Sequence, residues 1–197
     1  MPLLTAHDVG IERGDRRLLT GVSLSINSGE LWQLVGANGV GKTSLLRALS
    51  GLARLGVSGE VQRHGSLLYL GHASALKLSL TASENLRYHP ACDVEACAEQ
   101  IAAALAEVSL SGLEDRPVGT LSAGQKRRVA LARLMLSPAS LWLLDEPFTA
   151  LDAAGCEWLE RRMREHIAAN GAAVFTSHQP SRFGALQRDL DLKHHVA

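Results

Sequence analysis

Apolar and polar residues alternate over residues 18–26, and this period of two predicts a strand with one buried face. An Asn-Ser-Gly turn follows, and the short apolar run of residues 31–35 then predicts a fully buried strand. Beyond a glycine-rich stretch, the leucines of residues 42–52 recur at helical spacing. The first part of the chain is therefore predicted to run from strand through loop to helix.

The same two periods continue along the rest of the chain. Helical spacing dominates residues 81–113, where Thr81 and Glu84 form a capping-box pattern ahead of an alanine-rich run over residues 95–108. Further helices are predicted at residues 123–136 and 153–169, and short strands at residues 59–62, 67–70, 141–144 and 172–176. Strands alternating with helices of this length are typical of parallel crossover units, so the pattern indicates an α/β fold with an antiparallel edge layer.

Chain length and composition favour one folded domain. With 197 residues, of which 46% are apolar and 20% charged, the chain has the composition of a globular protein and is long enough for one packed core. We expect a single domain over residues 1–197. Its core is predicted at about residues 1–71 and 127–197, with a helical insertion at about residues 72–126.

Net charge narrows the classes of partner. Twenty basic and twenty acidic side chains cancel, so no overall field attracts nucleic acid and no such partner is expected. We interpret the basic run Lys126-Arg127-Arg128 as a solvated helix face.

The three cysteines form no CxxC pair, which favours a reducing compartment. The N-terminal residues do not resemble a signal peptide, and no apolar stretch reaches the ~20 residues of a spanning helix, so any membrane role needs another chain.

Residues 36–43 match the phosphate-loop pattern GxxxxGK[ST], between a predicted strand and a predicted helix. Glycines let the backbone wrap around phosphates, and the helix N-terminus attracts the anion. Lys42 is expected to reach the β- and γ-phosphates, and Thr43 to ligate Mg²⁺. The residues predicted to contact nucleotide here are Gly36, Ala37, Asn38, Gly39, Val40, Gly41, Lys42, Thr43 and Ser44.

A second candidate element ends in two carboxylates. The apolar strand of residues 141–144 is followed by Asp145 and Glu146. Asp145 is predicted to hold Mg²⁺, and Glu146 to orient or deprotonate the attacking water. Strands often end in acidic turns, and the phosphate loop elsewhere in the chain favours the functional interpretation.

The segment Leu121-Ser122-Ala123-Gly124-Gln125 closely matches the signature LSGGQ. It lies in family order with the phosphate loop, Asp145-Glu146-Pro147, Ala150-Leu151-Asp152 and His178, and with these motifs the chain resembles the ATP-binding subunits of ABC transporters over nearly its whole length. The resemblance implies a P-loop NTPase fold, with a RecA-like core, an antiparallel β layer and an inserted helical ABC subdomain. It also implies hydrolysis of ATP with Mg²⁺. Ser122 is also a suitable cap for the helix that follows.

The same resemblance implies a homodimer that closes head to tail on two ATP molecules. The signature of one copy contacts the γ-phosphate held by Lys42 of the other, and charge-assisted contacts of this kind are strong. Asp152 matches the loop that crosses the dimer interface. His178 matches the switch histidine that touches the γ-phosphate. The signature residues assigned to nucleotide binding are Ser122, Ala123, Gly124 and Gln125.

Two positions depart from the family pattern. Where an aromatic residue commonly stacks on adenine, the chain has Arg13, whose guanidinium plane is also able to stack on a base. Where the family has a glutamine ahead of the helical subdomain, the chain has His72. A neutral imidazole is able to ligate Mg²⁺ or hold a water, so we assign His72 to the catalytic and metal-binding set.

A narrower resemblance rests on Tyr69-Leu70-Gly71-His72, Lys77, residues 80–86 and residues 121–131. These segments are similar to the haem exporter ATPases of cytochrome c biogenesis, the CcmA family. The resemblance implies a peripheral subunit on the cytoplasmic face of the bacterial inner membrane. Its expected partners are an integral membrane permease subunit of CcmB type and haem-handling cytochrome c maturation proteins.

Three alternatives stay open at this stage. One is an ATPase subunit for another small-molecule or lipid transporter. The second is a soluble ABC ATPase acting on DNA or ribosomes, although only 79 residues separate Lys42 from Ser122, too few for the long coiled-coil arms of many such proteins. The third is a non-catalytic regulatory cassette, against which Lys42, Asp145, Glu146 and His178 argue.

Overall fold

The computed structural model describes residues 1–93, 95–177 and 182–197. Within these ranges the chain forms eight strands and five α-helices, together with three short 3₁₀ turns at Val118–Thr120, Gly184–Leu186 and Leu192–His195. The strands are β1 (Pro2–Arg13), β2 (Arg16–Asn27), β3 (Leu31–Val35), β4 (Val57–Arg63), β5 (Leu67–Leu70), β6 (Leu141–Leu144), β7 (Ala172–Thr176) and β8 (Gln187–Asp191). The helices are α1 (Lys42–Ser50), α2 (Ala82–Arg87), α3 (Ala98–Glu107), α4 (Ala123–Leu136) and α5 (Ala153–Ala168).

The strands form two sheets. In the three-stranded sheet, β1 lies between β2 and β4 and is antiparallel to both. The five-stranded sheet has the order β5-β6-β7-β3-β8, with β3 parallel to β7 and β8, and β6 parallel to β7. The non-consecutive order of parallel neighbours requires crossover connections. The predicted α/β fold with an antiparallel layer is confirmed.

The described residues divide into two compact units. The first comprises residues 1–69, 139–147 and 162–197, and the second comprises residues 70–138 and 148–161. The second unit contains all of α2, α3 and α4. The sequence-based limits of the helical insertion, residues 72–126, remain a prediction.

The core of the first unit lies around the helix that follows the phosphate loop. Leu45, Leu46 and Leu49 of α1 are fully buried among apolar side chains from both sheets. Their spacing places them on one helix face, as the periodicity predicts. This packing holds the beginning of α1, and therefore the loop before it, against the ends of the parallel strands.

The sequence pattern did not predict β1 or β8. The pairing of β1 with β2 shifts register between Ala6 and Val9 and again near Ile11, and such bulges interrupt the alternation of apolar and polar residues. Strand β8 is at an edge of its sheet and has the polar sequence Gln-Arg-Asp-Leu-Asp. Edge strands with charged side chains lack the apolar run by which buried strands are recognised.

Among the described residues, no helix has both the length and the apolar character needed to cross a lipid bilayer.

Candidate functional site

The phosphate-loop segment connects β3 to α1 in a conformation that requires glycine. Gly41 immediately precedes α1 and has φ of +118°, and a Cβ there would lie 3.1 Å from Leu19 Cδ1. A side chain at this position is therefore disfavoured by both backbone conformation and space. Among the described residues, no side chain caps the first turn of α1. The amide N–H groups at this helix N-terminus are suited to an anion such as phosphate.

Lys42 is the first residue of α1 and lies within the loop. Its side chain is buried, and Nζ donates to the carbonyls of Gly36 at 2.7 Å and Ala37 at 3.1 Å. The ammonium group is thus held beside the loop backbone. That Lys42 reaches the β- and γ-phosphates of a nucleotide stays a prediction.

The two predicted metal ligands of the first unit lie in contact although 102 positions separate them. The hydroxyl of Thr43 donates to Asp145 Oδ1 at 3.0 Å, and Asp145 is almost completely buried at the end of β6. A hydroxyl and a carboxylate are hard oxygen ligands, which Mg²⁺ prefers. The geometry and chemistry of this pair therefore fit the predicted magnesium site.

Thr176, which is not among the site residues predicted from the sequence, connects both carboxylate residues. Its buried hydroxyl donates to Asp145 Oδ1 at 2.9 Å and accepts the backbone N–H of Glu146 at 2.8 Å. Glu146 has φ of +48°, a left-handed conformation that non-glycine residues rarely adopt. The hydrogen bond from its N–H holds that conformation. Such held strain is typical of functional sites.

The register of the parallel sheet explains why Thr176 lies there. Leu144 of β6 pairs with Phe175 of β7, so the residues that follow them, Asp145 and Thr176, lie side by side. The carboxyl ends of adjacent parallel strands meet at one sheet edge. Only the strand order, which the sequence does not show, identifies Thr176 as the neighbour of Asp145.

Tyr69 of β5 interacts electrostatically with Asp145. Burial, followed by the negative charge of Asp145, raises the pKa of Tyr69 to about 12. The phenol is therefore neutral at physiological pH. Tyr69 is not a base for the chemistry expected at this edge.

The signature segment lies in the second unit and begins α4. Ser122 is the N-cap: its hydroxyl accepts the N–H of Gln125 at 3.2 Å, and its own N–H donates to Gln125 Oε1 at 2.9 Å. Ser122 and Ala123 are exposed. Gly124 lies close to the carbonyl of Ala150, 3.3 Å from where a Cβ would stand. The capping function considered for Ser122 is present, and it leaves the signature at an exposed helix N-terminus.

Asp152 is held by a residue of the basic run. Arg128 Nη2 donates to both carboxylate oxygens of Asp152, at 2.6 and 2.8 Å, and Arg128 Nη1 donates to the carbonyl of Val108 at 3.2 Å. The N–H of Gly155 also donates to Asp152 at 3.0 Å. This backbone hydrogen bond and Arg128 lower the pKa of Asp152.

The interpretation of the basic run as a solvated face was wrong for Arg127 and Arg128. Arg127 is only 5% exposed and donates to the carbonyl of Gly71 at 3.0 Å, and the Arg128 side chain is 19% exposed. Successive helical residues point about 100° apart, so three adjacent basic residues do not share one face.

The remaining predicted residues have different environments. Arg13 is exposed at the end of β1 and lines a cavity of about 810 Å³ together with Thr43, Ser44 and Arg47. This cavity joins the predicted base-stacking residue to the phosphate-loop helix. His72 is exposed in the second unit. His178 lies outside the described residues.

These features first define a class. A phosphate loop that opens a helix after a parallel strand, with an aspartate at the end of another strand beside its threonine, is the arrangement of P-loop NTPases. In addition to this arrangement, the chain has a signature segment that begins a helix in a second, helical unit.

Comparison with known proteins places the chain within that class. The ABC transporter family matches residues 19–149. The cytochrome c biogenesis ATP-binding export protein CcmA of Escherichia coli strain K12 is 47% identical to the chain, and the match covers 91% of each protein. The protein of the same name from Shigella sonnei is 46% identical over the same coverage. The chain therefore belongs to the ABC transporter family, as one of its ATP-hydrolysing, ATP-binding subunits.

Solved structures show the same fold. The ATP-binding subunit of an ABC transporter superposes with a TM-score of 0.84 at 23% identity, covering 97% of this chain and 88% of the other. An ABC transporter ATP-binding protein from Pyrococcus furiosus superposes with a TM-score of 0.81 at 22% identity, covering 98% and 99%.

Proposed function

We propose that this chain is the ATP-hydrolysing subunit of a transporter complex that energises haem handling in c-type cytochrome biogenesis. The observation that supports this most directly is the 47% identity to CcmA of Escherichia coli across 91% of both proteins. The ABC transporter family match over residues 19–149 includes the phosphate loop, the signature and both carboxylates. The proposal extends to this chain the process that the relative's name states.

The phosphate loop binds the triphosphate of ATP. Its amides and Lys42 hold the phosphate oxygens, and Ser44 and Arg13 line the cavity in which ribose and base are proposed to lie. Thr43 and Asp145 would hold Mg²⁺, which neutralises charge on the β- and γ-phosphates. Glu146, positioned by its bond to Thr176, accepts a proton from the attacking water.

A second copy completes each site. The exposed signature N-terminus of one copy, with Ser122 and Gly124, faces the γ-phosphate held by the other, and Asp152 contacts the same interface. His178 and His72 are proposed to contact the γ-phosphate and the water or metal. Because ATP contacts both copies, it binds the closed dimer better than separate copies, and this differential affinity drives closure.

The partners are proposed from the resemblance of the chain to the CcmA family. We propose that the dimer binds a CcmB-like permease subunit at the cytoplasmic face of the bacterial inner membrane, as a peripheral protein. The helical unit transmits closure to that subunit. We propose that the free energy of ATP hydrolysis is used by haem-handling cytochrome c maturation proteins.

Complementation tests the process. The chain is expressed in Escherichia coli that lacks its CcmA, and covalently bound haem in c-type cytochromes is measured on denaturing gels. The unchanged chain and a control with exposed Glu157→Gln are expected to restore the signal, whereas Glu146→Gln is expected not to. Loss of a general base lowers the hydrolysis rate by about a hundredfold or more.

Two results would reject parts of the proposal. If the purified chain hydrolyses ATP but does not restore cytochrome c while the Escherichia coli protein does, the assigned process is wrong. If Glu146→Gln keeps the normal hydrolysis rate, the assigned base is wrong.

A further inference from the structure

The buried polar side chains of the second unit all form hydrogen bonds with one stretch of backbone. Among the described residues of that unit, three polar or charged side chains are buried: Asn85, Arg127 and Arg133, with 6%, 5% and 2% exposure. All three form hydrogen bonds with the backbone of residues 71–81. We call this irregular stretch between β5 and α2 the 71–81 segment.

Helix α4 holds the first half of the segment through two arginines. Arg127 Nη1 donates to the carbonyl of Gly71 at 3.0 Å. Arg133 donates from Nη1 to the carbonyl of Ser74 at 2.9 Å and from Nη2 to the carbonyl of Ala75 at 3.1 Å. His72 lies between these attachment points. Its backbone is therefore tied to α4 on both sides.

Helix α2 holds the second half through Asn85. Its amide nitrogen donates to the carbonyls of Lys77 and Thr81, both at 2.9 Å, and its amide oxygen accepts the N–H of Lys77 at 2.8 Å. Ala75, between the two halves, has φ of +47°. A left-handed alanine is disfavoured and persists only where neighbouring contacts impose it. The bond from Arg133 to its carbonyl is such a contact.

The burial of Arg133 is costly, and no ion pair within the described residues offsets it. Among the described residues, no carboxylate forms a salt bridge with Arg133, and burial lowers its pKa to about 10. An apolar residue of similar volume is often at least as stabilising at a buried charged position. An apolar residue, however, has no hydrogen-bond donors for the carbonyls of Ser74 and Ala75. The arginine thus determines the conformation of the segment more than it stabilises the helix.

We propose that Arg133, assisted by Arg127, is a positioning residue for ATP hydrolysis: it fixes the backbone of the 71–81 segment and thereby the place of His72. The inference rests on the proposed function, because it assigns His72 a part in hydrolysis. Arg133 itself is assigned no contact with ATP or with the attacking water. Its effect passes through the segment.

The first experiment measures the segment without reference to activity. Lys77 is exposed, so trypsin cleaves after it once the segment opens locally. Loss of two hydrogen bonds in Arg133→Gln is expected to raise the cleavage rate after Lys77 about tenfold. The matched control is Leu134→Ala, a fully buried neighbour on α4 whose side chain has no donor for the carbonyls of the segment. It is expected to leave this cleavage rate near normal at a temperature where both variants are folded.

The second experiment is a double-mutant cycle on hydrolysis. Arg133→Gln is expected to lower kcat about tenfold while KM for ATP changes little, and Arg133→Lys, which keeps one donor group, to retain more activity. In the His72→Ala background, Arg133→Gln is expected to have little further effect, because the residue that it positions is gone. Leu134→Ala is expected to keep kcat.

The outcomes separate this inference from the proposed function. The positioning role is overturned if Arg133→Gln lowers kcat equally with His72 present and with His72→Ala. It is also overturned if His72→Ala alone has normal kcat. Both conclusions hold even if Lys42→Ala abolishes hydrolysis. If the unchanged chain does not hydrolyse ATP, the proposed function fails, and unchanged tryptic cleavage in Arg133→Gln then also overturns the inference. If Arg133→Gln does not fold, Arg133→Lys replaces it in both experiments, with smaller changes expected in the same direction.

Discussion

Thr176 shows how one hydroxyl organises the catalytic edge of the parallel sheet. It donates to Asp145 and accepts from the backbone of Glu146, so it connects the proposed metal ligand to the proposed base. The bond to Asp145 is buried, and the bond from Glu146 is partly buried. A change at Thr176 is therefore expected to alter both of these proposed site residues.

Replacing Thr176 with valine keeps the volume and removes the hydroxyl. We expect the free energy of unfolding to fall by about 1–3 kcal/mol, because the fully buried Thr176 loses both hydrogen bonds of its hydroxyl. We expect kcat for ATP to fall as well, since Glu146 loses the bond that holds its left-handed backbone. Urea unfolding and steady-state hydrolysis measure the two effects. Thr176→Ser is the control and should be close to normal; a Thr176→Val protein with unchanged kcat would refute the role of this bond.

At the scale of elements, α2 and α4 begin with the same device. Thr81 accepts the N–H of Glu84 at 3.1 Å and Glu84 Oε2 accepts the N–H of Thr81 at 2.8 Å, which is the reciprocal arrangement also seen at Ser122. The capping box at Thr81 and the cap at Ser122 were visible in the sequence because each depends on residues three positions apart. They provide a matched pair for separating stability from function.

Alanine at either cap is expected to lower the free energy of unfolding by about 1 kcal/mol. Only Ser122→Ala is expected to lower hydrolysis as well, because Thr81 caps a helix with no proposed nucleotide contact. Thermal unfolding and kcat for both variants test this. Similar activity in Ser122→Ala and Thr81→Ala would show that Ser122 acts only as a cap.

His89, just after α2, makes stability depend on pH. Burial, and then the positive charge of Arg133, lowers the pKa of His89 to about 4, and its Nδ1 accepts the N–H of Ala91 at 3.2 Å. The unfolded chain has a His pKa of about 6.5. Between these two pKa values His89 binds a proton in the unfolded state but not in the folded state. The contribution of neutral His89 to the free energy of unfolding is therefore complete above pH ~6.5 and is lost as pH falls toward about 4.

We expect the unfolding temperature of the unchanged protein to decrease more steeply between these two pH values than that of His89→Asn. Asparagine is able to accept the same N–H and does not titrate. Calorimetry over the pH series measures the difference. Parallel curves for the two proteins would exclude His89 as the responsible group.

At the scale of the whole molecule, the proposed head-to-tail dimer makes a prediction about mixtures. Each proposed site uses the phosphate loop of one copy and the signature of the other. A dimer of one Lys42→Ala copy with one Ser122→Ala copy therefore contains one site with neither change and one site with both.

We expect each variant alone to hydrolyse ATP poorly and an equal mixture of the two to recover activity. The double variant Lys42→Ala/Ser122→Ala mixed with unchanged chain is the control, because its mixed dimers have one change in each site. Hydrolysis is measured over a range of total protein concentrations. No gain on mixing the single variants would contradict a shared site.

Several features could be predicted because their causes are local. Glycine at a left-handed position, a cap three residues from its partner and apolar residues at helical spacing act over one or two turns of chain. The phosphate loop, α4 with its cap and the short strands at residues 141–144 and 172–176 were predicted for this reason. The bulged strand β1 and the polar edge strand β8 were missed because bulges and edges remove the repeating pattern.

The sequence by itself determined the class of chemistry, since the spacing of the motifs specifies a phosphate loop, a strand ending in carboxylates and a signature helix. Only the tertiary structure decided that Thr176 joins Asp145 to Glu146 and that Arg127 and Arg133 turn inward to hold the 71–81 segment. Those contacts join residues 30 to 59 positions apart. They depend on strand order and on the face that a helix buries, and neither is encoded in the residues beside them in the chain.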